Sequence, residues 1–159
     1  MTKDDLNVYA MRVSQASKTE IVVIMYEVAI QYMKESVCEL ECGNISKFRE
    51  YLKKSKAFIN ELASSLDMKF DISVQLLNLY TYFNNACVKA DIRCEKDELV
   101  RIIEMLEKLK KSFEEVAKMD NSGPVMKNTQ QIYAGLTYSR NGFNENYTDV
   151  KSYNRGIKI

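Results

Sequence analysis

Over its first 119 residues the chain has one glycine, Gly43, and no proline, while an apolar residue returns every three to four positions almost throughout. So few backbone breaks with that period leave one economical way to bury the apolar stripes. They must lie on long helices packed side by side, because strands would need a period of two and frequent turn residues. The last 40 residues differ in kind: they hold Pro124, four of the five glycines, four of the ten tyrosines and six asparagines, without a sustained helical period. A boundary near Asp120 therefore separates a helical part, 1–119, from a Tyr/Asn/Gly-rich tail, 120–159, expected to be extended or partly disordered. At 159 residues the whole is about one domain.

Four helices are predicted within the first part. In "ASKTEIVVIMYEVAI", Ser17 followed three residues later by Glu20 is a capping-box signature, which starts a helix running to about Glu41. Its stripe of Ile21, Ile24, Met25, Val28, Tyr32 and Met33 is widened by Val22, Val23, Tyr26, Ala29 and Ile30, so this helix must touch more than one neighbour. Gly43 and Asn44 end it and cap the next, which carries Ile45, Phe48, Leu52, Ser55, Ile59, Leu62 and Leu66 at alternating three- and four-residue steps. A third begins near Asp71 with Ile72, Leu76, Leu79, Phe83, Ala86 and Ala90 on one stripe. A fourth begins near Glu95 with Leu99, Ile102, Leu106, Leu109, Phe113 and Val116, and with Glu104/Lys108 and Glu107/Lys111 spaced to pair on its surface. Connections of about two to seven residues favour an all-α, antiparallel four-helix bundle with residues 1–16 as an N-terminal arm.

Composition removes several functions. Basic and acidic residues number 18 and 19 over 1–119, then 5 and 3, so there is no nucleic-acid footprint. The absence of histidine removes the commonest general base and metal ligand, together with every Ser/His or Cys/His nucleophile pair, which disfavours an enzyme. Cys38, Cys42, Cys87 and Cys94 lack the short two-residue spacing of zinc knuckles and are expected as reduced, partly buried thiols, with no cofactor or metal. No uncharged run is long enough for a membrane span, and no leader pattern precedes the helices, so the expected compartment is the cytosol. The sequons at Asn44 and Asn146 are then chance matches. Tyr26, Tyr80 and Tyr82 at helical spacing read first as core or boundary residues and second as a binding surface.

Three stretches together resemble the FliS family of flagellar secretion chaperones: "VSQASKTEIVVIMYEVAI", "AFINELASSLD" and "ISVQLLNLYTYFNNACVKAD". Order and spacing agree over about residues 9–118, with Lys18 where the family has proline, Asn85-Ala86 where it has a basic pair, and Phe113 where it usually has tryptophan. The resemblance implies a cytosolic export chaperone that holds the disordered C-terminal segment of flagellin, prevents premature polymerisation and engages the cytosolic domain of the flagellar type III export gate. It implies no nucleic-acid partner and no membrane insertion, and it leaves a homodimer open.

The contact residues it points to are Tyr9, Val13, Val22, Tyr26, Ile30, Leu77, Tyr80, Tyr82 and Phe83. Residues 1–16, anchored by Tyr9 and Val13, are expected to fold back over a groove in the free protein and to leave when flagellin arrives. Tyr133, Leu136 and Tyr138 in the tail suggest a loosely held strap. The competing reading is a helical structural or oligomerisation module that does not bind flagellin.

Overall fold

Ser17 starts a helix by the reciprocal bonds that its sequence anticipates. Its Oγ accepts from the Glu20 N–H at 3.2 Å, and the Glu20 carboxylate accepts from the Ser17 N–H at 2.7 Å. The computed structural model, which describes residues 3–126, contains five helices: α1 Lys3–Gln15, α2 Lys18–Glu41, α3 Ile45–Ser64, α4 Asp71–Arg93 and α5 Asp97–Met119. The chain is all-α across the described residues. The number of helices corrects the expectation of four, because the N-terminal arm is itself a helix with Asp4 and Asp5 in its first turn and Arg12 in its last. Those charges suit the helix dipole, while Tyr9 and Val13, four residues apart, supply a narrow inward stripe that is easily read as an arm.

The wide apolar circumference of α2 is explained by its position. It packs on α1, α3 and α5, while α4 packs on α3 and α5, so the four long helices contact one another in a closed cycle. Val23, Ile24, Tyr26, Val28, Ala29, Ile30, Tyr32 and Met33 are all buried on α2. The main core gathers Tyr26, Met33, Phe48, Leu52, Ile59, Leu62, Tyr80, Phe83, Leu99, Ile102 and Leu106, each no more than 2% exposed. Ser55 Oγ donates to the Ala29 carbonyl at 2.8 Å, so this buried hydroxyl on α3 is satisfied by the backbone of α2. Ile72 and Val116, expected on core stripes, are instead 62% and 53% exposed, since they sit in the first turn of α4 and the last turn of α5, where neighbours run out.

Helix ends fall close to the predicted boundaries. Gly43 at φ +75° closes α2 in a Schellman arrangement, with Gly43 N–H bonded to the Leu40 carbonyl and Asn44 N–H to that of Glu39. Cys94 takes the left-handed conformation, φ 52°, after α4, which delays the next helix from Glu95 to Asp97. Glu107 does not pair with Lys111 along its own helix but reaches Lys34 on α2 at 2.6 Å, and Lys110 pairs with Glu114 at 3.3 Å.

α5 ends at Met119, with Asp120 as its C-cap. Its carboxylate accepts from Ser122 N–H at 2.9 Å and from Thr19 Oγ1 at 2.7 Å. Hydrogen bonds from Ser122 and Thr19, then Ser17, hold its pKa well below the usual carboxylate range. The stabilisation is therefore present above the ordinary carboxylate pKa and disappears only as pH falls toward the depressed folded value. Val125 N–H bonds the Ala16 carbonyl at 3.0 Å, bringing the first residues of the tail to the α1–α2 junction. The expected strap with Tyr133, Leu136 and Tyr138 lies outside the described residues.

Candidate functional site

α1 covers a face of α2 beside its contact with α3. Beneath it Ala16, Ile24, Val28 and Tyr32 form a second buried cluster, with Tyr9 and Val13 from α1 and Tyr51 and Phe58 from α3 packed against it. Tyr32 stacks on Tyr51 and Phe58 with ring centroids 6.1 and 6.2 Å apart, and Lys54 Nζ sits 5.4–5.6 Å over the Tyr51 and Tyr32 rings. This face is apolar, aromatic and preformed, which suits a helix laid across it.

The cover is lightly attached. Arg12 holds Glu27 of α2 through two hydrogen bonds, 2.5 and 3.2 Å, and lies 5.6 Å from the Tyr9 ring centroid. The bond to Glu27 raises the Arg12 pKa, and burial, with Glu27 nearby, raises that of Tyr9. Arg12 stays solvent-accessible, so this pair contributes little by itself. Val8 and Met11, on the outer side of α1, are 55% and 44% exposed, and Leu6, in register with Tyr9 and Val13 one turn earlier, is still 48% exposed, so much of the helix's apolar surface is left uncovered. At its C-terminal end a cleft of about 520 Å³ opens between α2 and α5, lined by Arg12, Ala16, Val23, Ile24, Glu27, Glu114 and Ala117 among others.

The residues singled out in the sequence separate into three groups. Tyr9 and Val13, on α1, are half-buried against the second cluster. Tyr26, Ile30, Tyr80 and Phe83 lie in the main core, at most 6% exposed, and a partner has no access to them in this conformation. Helical spacing alone could not separate a core aromatic from a surface one. Val22 is half-buried against the same core, Leu77 is half-buried on α4, and Tyr82 is 44% exposed. Leu77 and Tyr82 are five residues apart, about 140° around the helix, so α4 does not bring them together. Sequence reading missed the exposed row that does share the Leu77 side of α4: Val74, Val88 and Ile92, at 48%, 43% and 76%. Its signal was present as a second apolar spacing of three, fourteen and eighteen residues from Val74 to Leu77, Val88 and Ile92.

Inside the core the Tyr26 and Tyr80 hydroxyls hydrogen-bond each other, and the Tyr26 ring lies 5.4 Å from that of Phe113. Burial, followed by the bond to Tyr80, pushes the Tyr26 phenol upward, and burial also raises that of Tyr80. Both therefore stay protonated and serve packing. Tyr26→Phe should cost about 1–2 kcal/mol by orphaning the Tyr80 hydroxyl, and the Tyr26→Phe/Tyr80→Phe double variant should cost less than the two singles combined. Urea unfolding of the four proteins reads this directly.

Among the described residues no group of three or more His, Cys, Asp or Glu could hold a metal ion, and no helix is long and apolar enough to cross a membrane. The fold and site define an all-helical protein whose distinctive surface is a helix-covered apolar face. The family described as "Flagellar protein FliS" matches residues 6–121, which include all of α2–α5 and most of α1. The chain belongs to the FliS family, and membership implies the role of a flagellar export chaperone. No curated protein matches it.

Proposed function

We propose that this protein binds the disordered C-terminal segment of flagellin in the cytosol, keeps it from polymerising and delivers it to the cytosolic domain of the flagellar export gate. The observation that carries the reading is the apolar face of Ile24, Val28 and Tyr32, covered by a short helix that leaves Leu6, Val8 and Met11 exposed. A flagellin helix replaces α1 on that face. The row of Val74, Leu77, Val88 and Ile92 on α4 receives a further apolar stretch of the same chain, and Tyr82 contributes on the opposite flank. Tyr9 and Val13 act as the removable cover, and Val22 lies at the edge of the opened groove. Tyr26, Ile30, Tyr80 and Phe83 act from inside, by fixing α2 and α4 beneath the contact surfaces.

Calorimetry with a flagellin C-terminal peptide from the same cell should show sub-micromolar affinity, at least about 8 kcal/mol, with a negative heat-capacity change because the contacts are apolar. No heat at tens of micromolar, with no competition by full-length flagellin, would remove the reading.

A further inference from the structure

Cys38 and Cys42 stand one turn apart at the end of α2, and the Cys42 N–H bonds the Cys38 carbonyl at 3.0 Å. That spacing stacks their side chains on one face of the helix, with Cβ atoms about 5–6 Å apart. Both are exposed, correcting the expectation of partly buried thiols. The turn that carries them does not fray freely. Asn44 N–H reaches the Glu39 carbonyl at 2.8 Å, Gly43 N–H reaches that of Leu40 at 3.0 Å, and α3 follows at once.

The surroundings decide what the pair can hold. The nearby carboxylates have partners: Glu35 accepts from Gln31 at 3.0 Å, Glu39 lies 3.8 Å from Lys47 and Glu41 lies 2.5 Å from Lys96. Cys87 is buried in the core, and Cys94 sits half-buried after α4. The pair thus offers two soft sulfur donors on a fixed frame and no third ligand. Zinc needs four ligands, and magnesium or calcium needs oxygen, whereas Cu(I) takes thiolate sulfur and is satisfied by two.

We propose that Cys38 and Cys42 form a two-coordinate site for Cu(I). On binding, two S–H bonds break, two S–Cu bonds form and two protons leave to solvent, with no change in oxidation state. The resulting bis-thiolate carries one net negative charge. Because binding displaces two protons, affinity should rise with pH as proton competition weakens.

The test is an anaerobic titration of the full, reduced chain with Cu(I) against a chromophoric Cu(I) chelator. One equivalent should bind per chain, more tightly at higher pH, and Zn(II) should not compete. Cys38→Ser and Cys42→Ser should each lose about a hundredfold or more, because the second thiol acts at high effective concentration, while Cys94→Ser binds as wild type does. Both sites are exposed, so unchanged circular dichroism should accompany the loss. Copper retained by the Cys38→Ser/Cys42→Ser double variant, equal retention of Zn(II), or one copper bridging two chains in sedimentation would each overturn the site.

Discussion

Phe83→Ala is expected to lower the stability of the protein by about 3–5 kcal/mol, whereas Tyr82→Ala, one residue away, should change it by less than about 0.5 kcal/mol. Phe83 is completely buried, with the Tyr80 ring 6.4 Å from its own, and its removal opens a void between α4 and the rest of the core. A loss of that size is a large fraction of the 5–15 kcal/mol typical of a domain. Tyr82 is 44% exposed and leans on Phe83 at 5.9 Å, so truncating it leaves the core packed. Urea unfolding should show a lower midpoint for Phe83→Ala with an unchanged slope. The same variants separate two roles in the flagellin titration. Tyr82→Ala should weaken binding in a fully folded protein, and Phe83→Ala should weaken it only as far as it unfolds. Equal stability losses for the two would show that α4 does not hold this register.

Deleting residues 2–15 should strengthen flagellin binding by about ten- to a hundredfold. A cover docked in roughly 90–99% of molecules lowers the apparent affinity by the reciprocal of the open fraction. α1 is held mainly by Tyr9, Val13 and the accessible Arg12–Glu27 pair, an attachment small enough to yield to a partner helix with a longer apolar stripe. The deletion should leave the main core intact, since none of its buried residues comes from α1. It exposes Ile24, Val28 and Tyr32, so a modest fall in unfolding midpoint should accompany the gain in affinity. Arg12→Ala is the milder form of the same experiment and should move both quantities in the same directions. Unchanged or weaker binding by the deletion would make α1 a direct contact for flagellin rather than a cover.

Several features were readable from the chain because they depend on residues close together in sequence. The capping box at Ser17 and Glu20, the stop at Gly43 and the stripes of α3 and α5 each follow from local backbone chemistry or from one helical period. The excess apolar width of α2 correctly announced several neighbours. Reading α1 as an arm missed its helix, because only Tyr9 and Val13 of its apolar residues become half-buried while Leu6, Val8 and Met11 stay exposed. The candidate contact residues were mixed for a related reason. Tyr80, Tyr82 and Phe83 fall within four residues on one helix, and period alone does not say which side of α4 meets α3 and α5.

The sequence by itself determined the helical class, the extent of the long helices, the lack of histidine chemistry and the family, since all of these rest on composition, spacing and local order. Only the tertiary structure decided that Tyr26 and Tyr80 spend their hydroxyls on each other inside the core, that Tyr82 and the Val74–Ile92 row face outward, and that Cys38 and Cys42 stand exposed together. The division has a physical cause. Helix formation is governed by interactions within about four residues, whereas burial is set by which faces of separate helices meet, through contacts between residues such as 26 and 80 that lie 54 positions apart.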